Sequence, residues 1–389
     1  MKLYSFGYDP SSPRPSSSTT PDVSSPQSRL LRTACINILW ASWCDSIIAH
    51  TSSSDTSQWT VDYRGRGLTS AQAMHIANSP IVKEAVSQKE IEIEFFGSSM
   101  HSGVRGYTTP TSVIIFSSEL EIESGDDEIQ TYPMAIALIR MDSSGGYLVS
   151  SGDGIVYFDG FASFRGYLEA KSTTSSGKLA PFEPREWCTN TTTATALDHS
   201  GRVHTATRDP RYPKCLGRTY TNSTGFEPVE YLSETCIIKV ASGGYMTAAV
   251  SAEGELFLWG QANPGDEKMV SVLGEKGALG SSTSTAISAD EDQDEMVKCL
   301  NVRVEGQEAF VYDVAIGHGH VLVAAEVQRD GCVTARAVLG AGCNEKGQLG
   351  LPISKQVVGD FEAIPAFAGL KIEKLVAKGW STLVVTSEG

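Results

Sequence analysis

Residues 240–260 read VASGGYMTAAVSAEGELFLWG, and the fold follows from this stretch. A short apolar run leads into the glycine pair Gly243-Gly244, and a second apolar run extends from Thr247 to Val250. The chain then reverses at Ala252-Glu253-Gly254, where glycine reaches positive φ without a Cβ penalty. Beyond the turn, Leu256 and Leu258 alternate with Glu255 and Phe257 up to Trp259-Gly260. That is the period of a strand with two unlike faces.

The same grammar recurs along the chain. It is found at 314–327 (VAIGHGHVLVAAEV) continued by 330–350, and at 38–50 (ILWASWCDSIIAH) continued by WTVDYRGRG at 59–67. It is found again at 146–160 (GYLVSSGDGIVYFDG) and at 188–207, where Asp198-His199-Ser200-Gly201 is the turn. A degenerate copy lies at 93–107. The seventh copy is split, because LVAKGWSTLVVTSEG at 375–389 stops at its turn glycine and MKLYSFG at 1–7 is the strand that should follow. A toroid of sheets is stable only when its last sheet closes on its first. The sequence therefore predicts an all-β, seven-bladed β-propeller over residues 1–389 as a single domain, its N- and C-terminal strands sharing the closing blade.

Three motifs carry a resemblance to a known family. The G-Q-L-G tail at Gly347–Gly350, the Trp259-Gly260 strand end and the V-A-x-G openings at Val240, Val314 and Val376 are similar to regulator-of-chromosome-condensation repeats. The resemblance spans nearly the whole chain in spacing and is strongest from 236 to 389. It implies four-stranded blades and a structural His after the glycine pair that hydrogen-bonds between blade strands. His320 holds that place, whereas Met246, Thr382 and Ser46 stand in it elsewhere.

Other segments interrupt the repeats. Residues 9–28 are rich in Ser and Pro and read as a polar loop. Residues 69–90 read as a loop with a short amphipathic helix on Ile76, Ile81, Val82 and Val86. Residues 119–128 and the acidic insertion at 261–309, with its Asp290–Glu295 run, read as solvated excursions.

Composition narrows the function. The net charge of −15 and pI near 5.0 repel phosphate backbones, and no Lys/Arg cluster stands out, so direct nucleic-acid binding is not expected. Eight cysteines include no C-x-x-C pair, and they read as reduced thiols. No signal-peptide core or run of about 18 apolar residues is present, which points to the cytosol or nucleus and away from membranes. Nucleophile-elbow, metalloprotease and phosphate-loop motifs are missing, so no catalytic residue, metal or cofactor is assigned. The G-H-G-H run is read with His318 and His320 on one strand face. They could share an ion, yet no third ligand is evident.

A non-enzymatic protein-binding scaffold is the function expected. Its candidate contacts are Trp43, Tyr245 and Trp380, just after the first strand of their blades, together with His318 and the strand-end pair Arg64 and Arg66. Large aromatics also plug gaps between blades, so both uses stay open for the three rings. The compact length, the start KLYSFG at 2–7 and the closing GWSTLVV at 379–385 resemble the yeast α-tubulin-suppressor subfamily, which implies a small zinc-ribbon partner, the electron donor of diphthamide synthesis and tRNA wobble-uridine modification. The long acidic insertions and ILWASWCDSII at 38–48 resemble one-domain animal repeat proteins, which implies a JmjC-type hydroxylase as partner. The founding activity of the family implies nucleotide exchange on a small GTPase.

Overall fold

The computed structural model describes residues 1–8, 29–52, 56–88, 92–98, 102–117, 128–151, 154–169, 178–262, 269–274, 287–289 and 296–387. These residues form seven antiparallel sheets, numbered here in chain order, in which each strand pairs with the next. Sheet I holds Ile36–Ala41, Asp45–Thr51 and Trp59–Gly65. Sheet II holds Glu94–Ser98, Gly103–Thr108, Val113–Phe116 and Ile129–Tyr132. Sheet III holds Leu138–Met141, Tyr147–Ser151, Gly154–Phe158 and Lys178–Ala180. Sheet IV holds Pro184–Thr189, Thr193–Asp198, Val203–Thr207 and Glu227–Pro228.

Sheet V is the copy that opened the reading, with Ile237–Gly243, Met246–Ser251, Leu256–Gly260 and, fourth, Val297–Val304. Its hairpin turns at Ala252-Glu253-Gly254, where Gly254 has φ +81 and a Cβ would stand 2.3 Å from the Phe310 ring. Only glycine suits that place. Sheet VI holds Phe310–Ile316, His320–Arg329, Cys332–Cys343 and Val357–Ala363. Sheet VII is assembled from both ends of the chain, in the order Lys371–Lys378, Ser381–Ser387, Lys2–Gly7 and Arg29–Arg32. Lys2 pairs with Thr386 and Gly7 with Ser381, the closure expected from the split repeat. All seven expected copies correspond to sheets.

By compactness the chain divides into two units. One unit is Leu31–Glu183 with sheets I to III, and the other is Lys2–Tyr8 with Pro184–Gly389. In each unit the apolar clusters lie between successive sheets, because every strand buries alternate side chains against the next sheet. Met246, Leu258, Val323 and Leu339 share one cluster between sheets V and VI. Phe6, Leu375, Val384 and Phe367 share another between VI and VII.

Residues 69–90 are more helical than a loop with one short helix. They contain α1 (Ser70–Asn78) and α2 (Pro80–Gln88), and Ile76, Val82 and Val86 join the core of sheets I and II. Thr69 starts α1 with a capping box, its side chain accepting from Gln72 N while Gln72 Oε1 accepts from Thr69 N. The insertion at 261–309 also differs from its expected form. Its last part is the fourth strand of sheet V, since Val297, Leu300, Val302 and Val304 are buried at strand-like spacing. Acidic neighbours in the sequence masked that pattern. The loop at 9–28, most of 119–128 and the Asp290–Glu295 run lie outside the described residues.

Candidate functional site

The turns joining first to second strands in sheets IV to VII lie against one another. Thr191 N donates to Gly244 O at 2.8 Å, and His318 N donates to Gly379 O at 2.6 Å. Between sheets V and VI, a Cβ on Gly243 would meet Ile316 O at 2.4 Å, so the backbones nearly touch. Gly244 and Gly379 hold φ +55 and +53, left-handed geometry that an L-residue adopts at a cost of ~1–2 kcal/mol. Each turn is also tied to the end of its own sheet's third strand or just beyond it. Gln261 N donates to Tyr245 O at 3.1 Å, Cys343 N to Gly319 O at 2.7 Å, and Tyr8 N to Trp380 O at 3.0 Å.

This backbone lattice presents aromatic side chains in succession. The Tyr212 and Tyr245 rings lie 5.1 Å apart, and His318 meets Trp380 edge-to-face at 5.2 Å. Tyr8 is 39% exposed beside Trp380. Tyr245, His318 and Trp380 are half-buried, so each ring has one face packed and part of its surface toward solvent. Burial together with the Tyr212 hydroxyl raises the Tyr245 pKa, and burial lowers that of His318. The face is thus neutral and aromatic at pH 7. Rings fixed in this way lose little conformational entropy on binding.

His318 and His320 do not share a strand face. His320 begins its strand, whereas His318 sits in the turn before it, because Gly317 and Gly319 bend the backbone there. His320 is fully buried and its Nε2 lies 3.1 Å from Thr382 Oγ1, bridging sheets VI and VII. Burial pushes its pKa down to about 4. Among the described residues, no three His, Cys, Asp or Glu side chains gather as a metal site would need.

Trp43, Arg64 and Arg66 belong to sheet I in the other unit. Trp43 lies half-buried in the turn between Ile36–Ala41 and Asp45–Thr51. Arg64 pairs in register with Ser46, and Arg66 is exposed just past the strand. Below them Asp45, 3% exposed, accepts from Trp40 Nε1 at 2.8 Å, Ser42 Oγ at 2.5 Å and Val104 N at 3.0 Å. Its pKa is raised by burial, with the hydrogen bonds pulling the other way. Within one unit the structure brings Tyr245, His318 and Trp380 onto one run of turns, and the other three candidates belong to the other unit. Tyr8 and Tyr212 were missed, although Tyr8 directly follows the strand that completes the split repeat.

No family model and no curated protein matches this sequence. Solved structures do. Human WBSCR16 superposes with a TM-score of 0.60 at 12% identity, over 100% of both chains. Prp20p of Saccharomyces cerevisiae, described for its binding to Gsp1p and histones, gives 0.59 at 11% identity over 100% of this chain and 92% of its own. Yeast RCC1 (Prp20) in complex with Kap60 gives 0.58 at 10% identity, covering 100% and 89%. The fold is a seven-bladed β-propeller of the regulator-of-chromosome-condensation type.

Proposed function

We propose that this chain is a non-enzymatic propeller scaffold that holds a protein partner on the turn face of sheets IV to VII. The observation behind this reading is the run of turns, hydrogen-bonded from IV to V and from VI to VII and in close backbone contact from V to VI, that presents Tyr245, His318 and Trp380, with Tyr8 and Tyr212 beside them. Half-exposed rings on rigid backbone are the anchors from which binding hot spots are built. A propeller of like fold described for its binding to Gsp1p and histones supports a protein as ligand. The same likeness favours a second reading, nucleotide exchange on a small GTPase. The zinc-ribbon and JmjC-type partners rest on the sequence resemblance alone. Among the described residues no helix is long and apolar enough to cross a membrane, and the cytosol or nucleus is the proposed location.

Affinity capture with the wild-type chain and with Trp380→Ala and Tyr245→Ala tests this reading. Loss of the principal partner from both variants, with melting points within a few degrees of wild type, is the expected result. Retention of that partner by both variants removes the face from consideration. Accelerated nucleotide release from a captured GTPase selects the exchange reading, whereas a zinc-ribbon or JmjC-type protein selects the corresponding scaffold role.

A further inference from the structure

Between Arg208 and Tyr220 the chain carries four Lys or Arg side chains and one carboxylate, in a protein of 46 acidic and 31 Lys or Arg residues. The stretch leaves sheet IV after Val203–Thr207 and rejoins it at Glu227–Pro228. It is firmly seated. Thr205 Oγ1 donates to Leu216 O at 2.8 Å, and Arg218 Nη2 donates to Thr205 O at 2.9 Å. Cys215 and Leu216 are buried, and Gly217 lies so close to the Trp259 indole that a Cβ would stand 2.9 Å from it.

Seating one end leaves Arg208, Arg211 and Lys214 exposed around a fixed ring. Arg211 forks onto Asp209, with Nε to Oδ1 and Nη2 to Oδ2 both 2.7 Å. Its guanidinium also lies 5.7 Å from the Tyr212 ring centre, and Tyr212 in turn packs on Tyr245. The result is a cationic ledge bordering the turn face.

We propose that this ledge binds an acidic, extended segment of a protein partner, with Arg208 and Lys214 as the charge contacts beside the Arg211–Asp209 fork and Tyr212 as the ring surface. The proposal rests on the protein-binding reading and names the chemistry of one part of the partner. Asp209 already displays, within the chain, the carboxylate–guanidinium fork that an incoming Glu or Asp would make. Charge complementarity selects the occupant. A local excess of cations on a surface of net charge −15 draws a short acidic segment. A duplex with a charge every ~1.7 Å would run off the ledge onto repelling surface.

The test uses the full chain and a fluorescein-labelled peptide of about twelve residues with Glu at alternate positions, read by anisotropy. Saturable binding is expected, weakened at least ~10-fold in R208E/K214E and abolished when Gln replaces Glu in the peptide. Both substitutions fall on exposed side chains, and a melting curve for the double variant checks that it folds. No binding to wild type, equal binding by the double variant, or equal binding of the Gln peptide overturns the proposal. Tighter binding of a single-stranded oligonucleotide overturns it in favour of nucleic acid. Self-association of the wild type that the double variant loses would assign the ledge to a second copy. Partner capture that needs Trp380 but tolerates R208E/K214E leaves the turn face standing and removes the ledge alone.

Discussion

The turn that opens sheet VII and the turn that opens sheet I make the same reversal by different physics. In sheet VII, Gly379 takes φ +53 and the backbone bends because no Cβ opposes it. The sheet I turn has no glycine, and the residues between the strands are Ser42, Trp43 and Cys44. There Ser42 N bonds Asp45 O at 2.8 Å, and Ser42 Oγ accepts from Cys44 N and Asp45 N at 3.1 Å each. The seam to the next sheet differs in the same sense. His320 joins sheets VI and VII as a neutral, buried imidazole, whereas Asp45 joins sheets I and II through the Val104 amide. One region relies on backbone freedom and neutral packing, the other on a buried carboxylate whose donors must all be present.

The largest expected effect concerns the shared sheet. Deleting residues 1–7 strips Leu3 and Phe6, 1% and 4% exposed, from their cores and leaves Ser381–Ser387 with only one of its two partner strands. A loss above ~5 kcal/mol is expected from two large buried side chains alone. Near-wild-type thermal melting of the truncation would break the account of the closing sheet.

Next comes Asp45→Ala, which leaves Trp40 Nε1, Ser42 Oγ and Val104 N without their acceptor. Stranded buried donors cost ~1–3 kcal/mol each before relaxation, so a destabilisation of about 3 kcal/mol is expected by urea unfolding. Asp45→Asn, which keeps one acceptor oxygen, should recover part of it. A loss below ~1 kcal/mol for the alanine variant would show that the carboxylate is dispensable.

Acid should separate the two regions. The folded pKa of His320, near 4, lies below the ordinary value of 6.5, so the unfolded chain takes up the proton first as pH falls. Stability is complete above pH 6.5 and declines between there and 4, by about 2 kcal/mol at pH 5. Asp45 has its folded pKa raised, and its contribution is lost as pH rises, so acid does not weaken that seam. Hydrogen-exchange protection factors, taken relative to the intrinsic rate at each pH, should fall in 310–387 at pH 5 compared with pH 7, while those of 36–65 hold. An equal fall in both, or an unchanged acid slope in His320→Gln, would erase the contrast.

The smallest effect is at the bend itself. Gly379→Ala should cost ~1–2 kcal/mol, because alanine at φ +53 is strained. An unchanged denaturation midpoint would mean that the sheet VII turn shifts at no cost.

Legibility followed the same division. Sheets V to VII were plain in the sequence because glycine pairs, turn glycines and alternating strands are local features that leave residue-type signatures. The fourth strand of sheet V was lost among acidic residues, and α1 and α2 were only partly periodic because Gln72 is buried among apolar side chains. Gln72 is placed by distant partners, donating to Ser117 O and Glu128 O. Of the candidate face, Tyr245 and Trp380 could be placed from their repeat positions, but Tyr212 could not. Its neighbour Tyr245 is 33 positions away, and nothing in RDPRYPK states that contact.

By itself the sequence determined the hairpin of each repeat and the joining of Lys2–Gly7 to Ser381–Ser387, since these depend on local period and backbone freedom. Only the tertiary structure decided which side chains meet across sheets. His320 against Thr382, Asp45 against Val104 and Tyr212 against Tyr245 are contacts set by the packing of one sheet on another. Packing is non-local, and a repeat grammar carries no record of it.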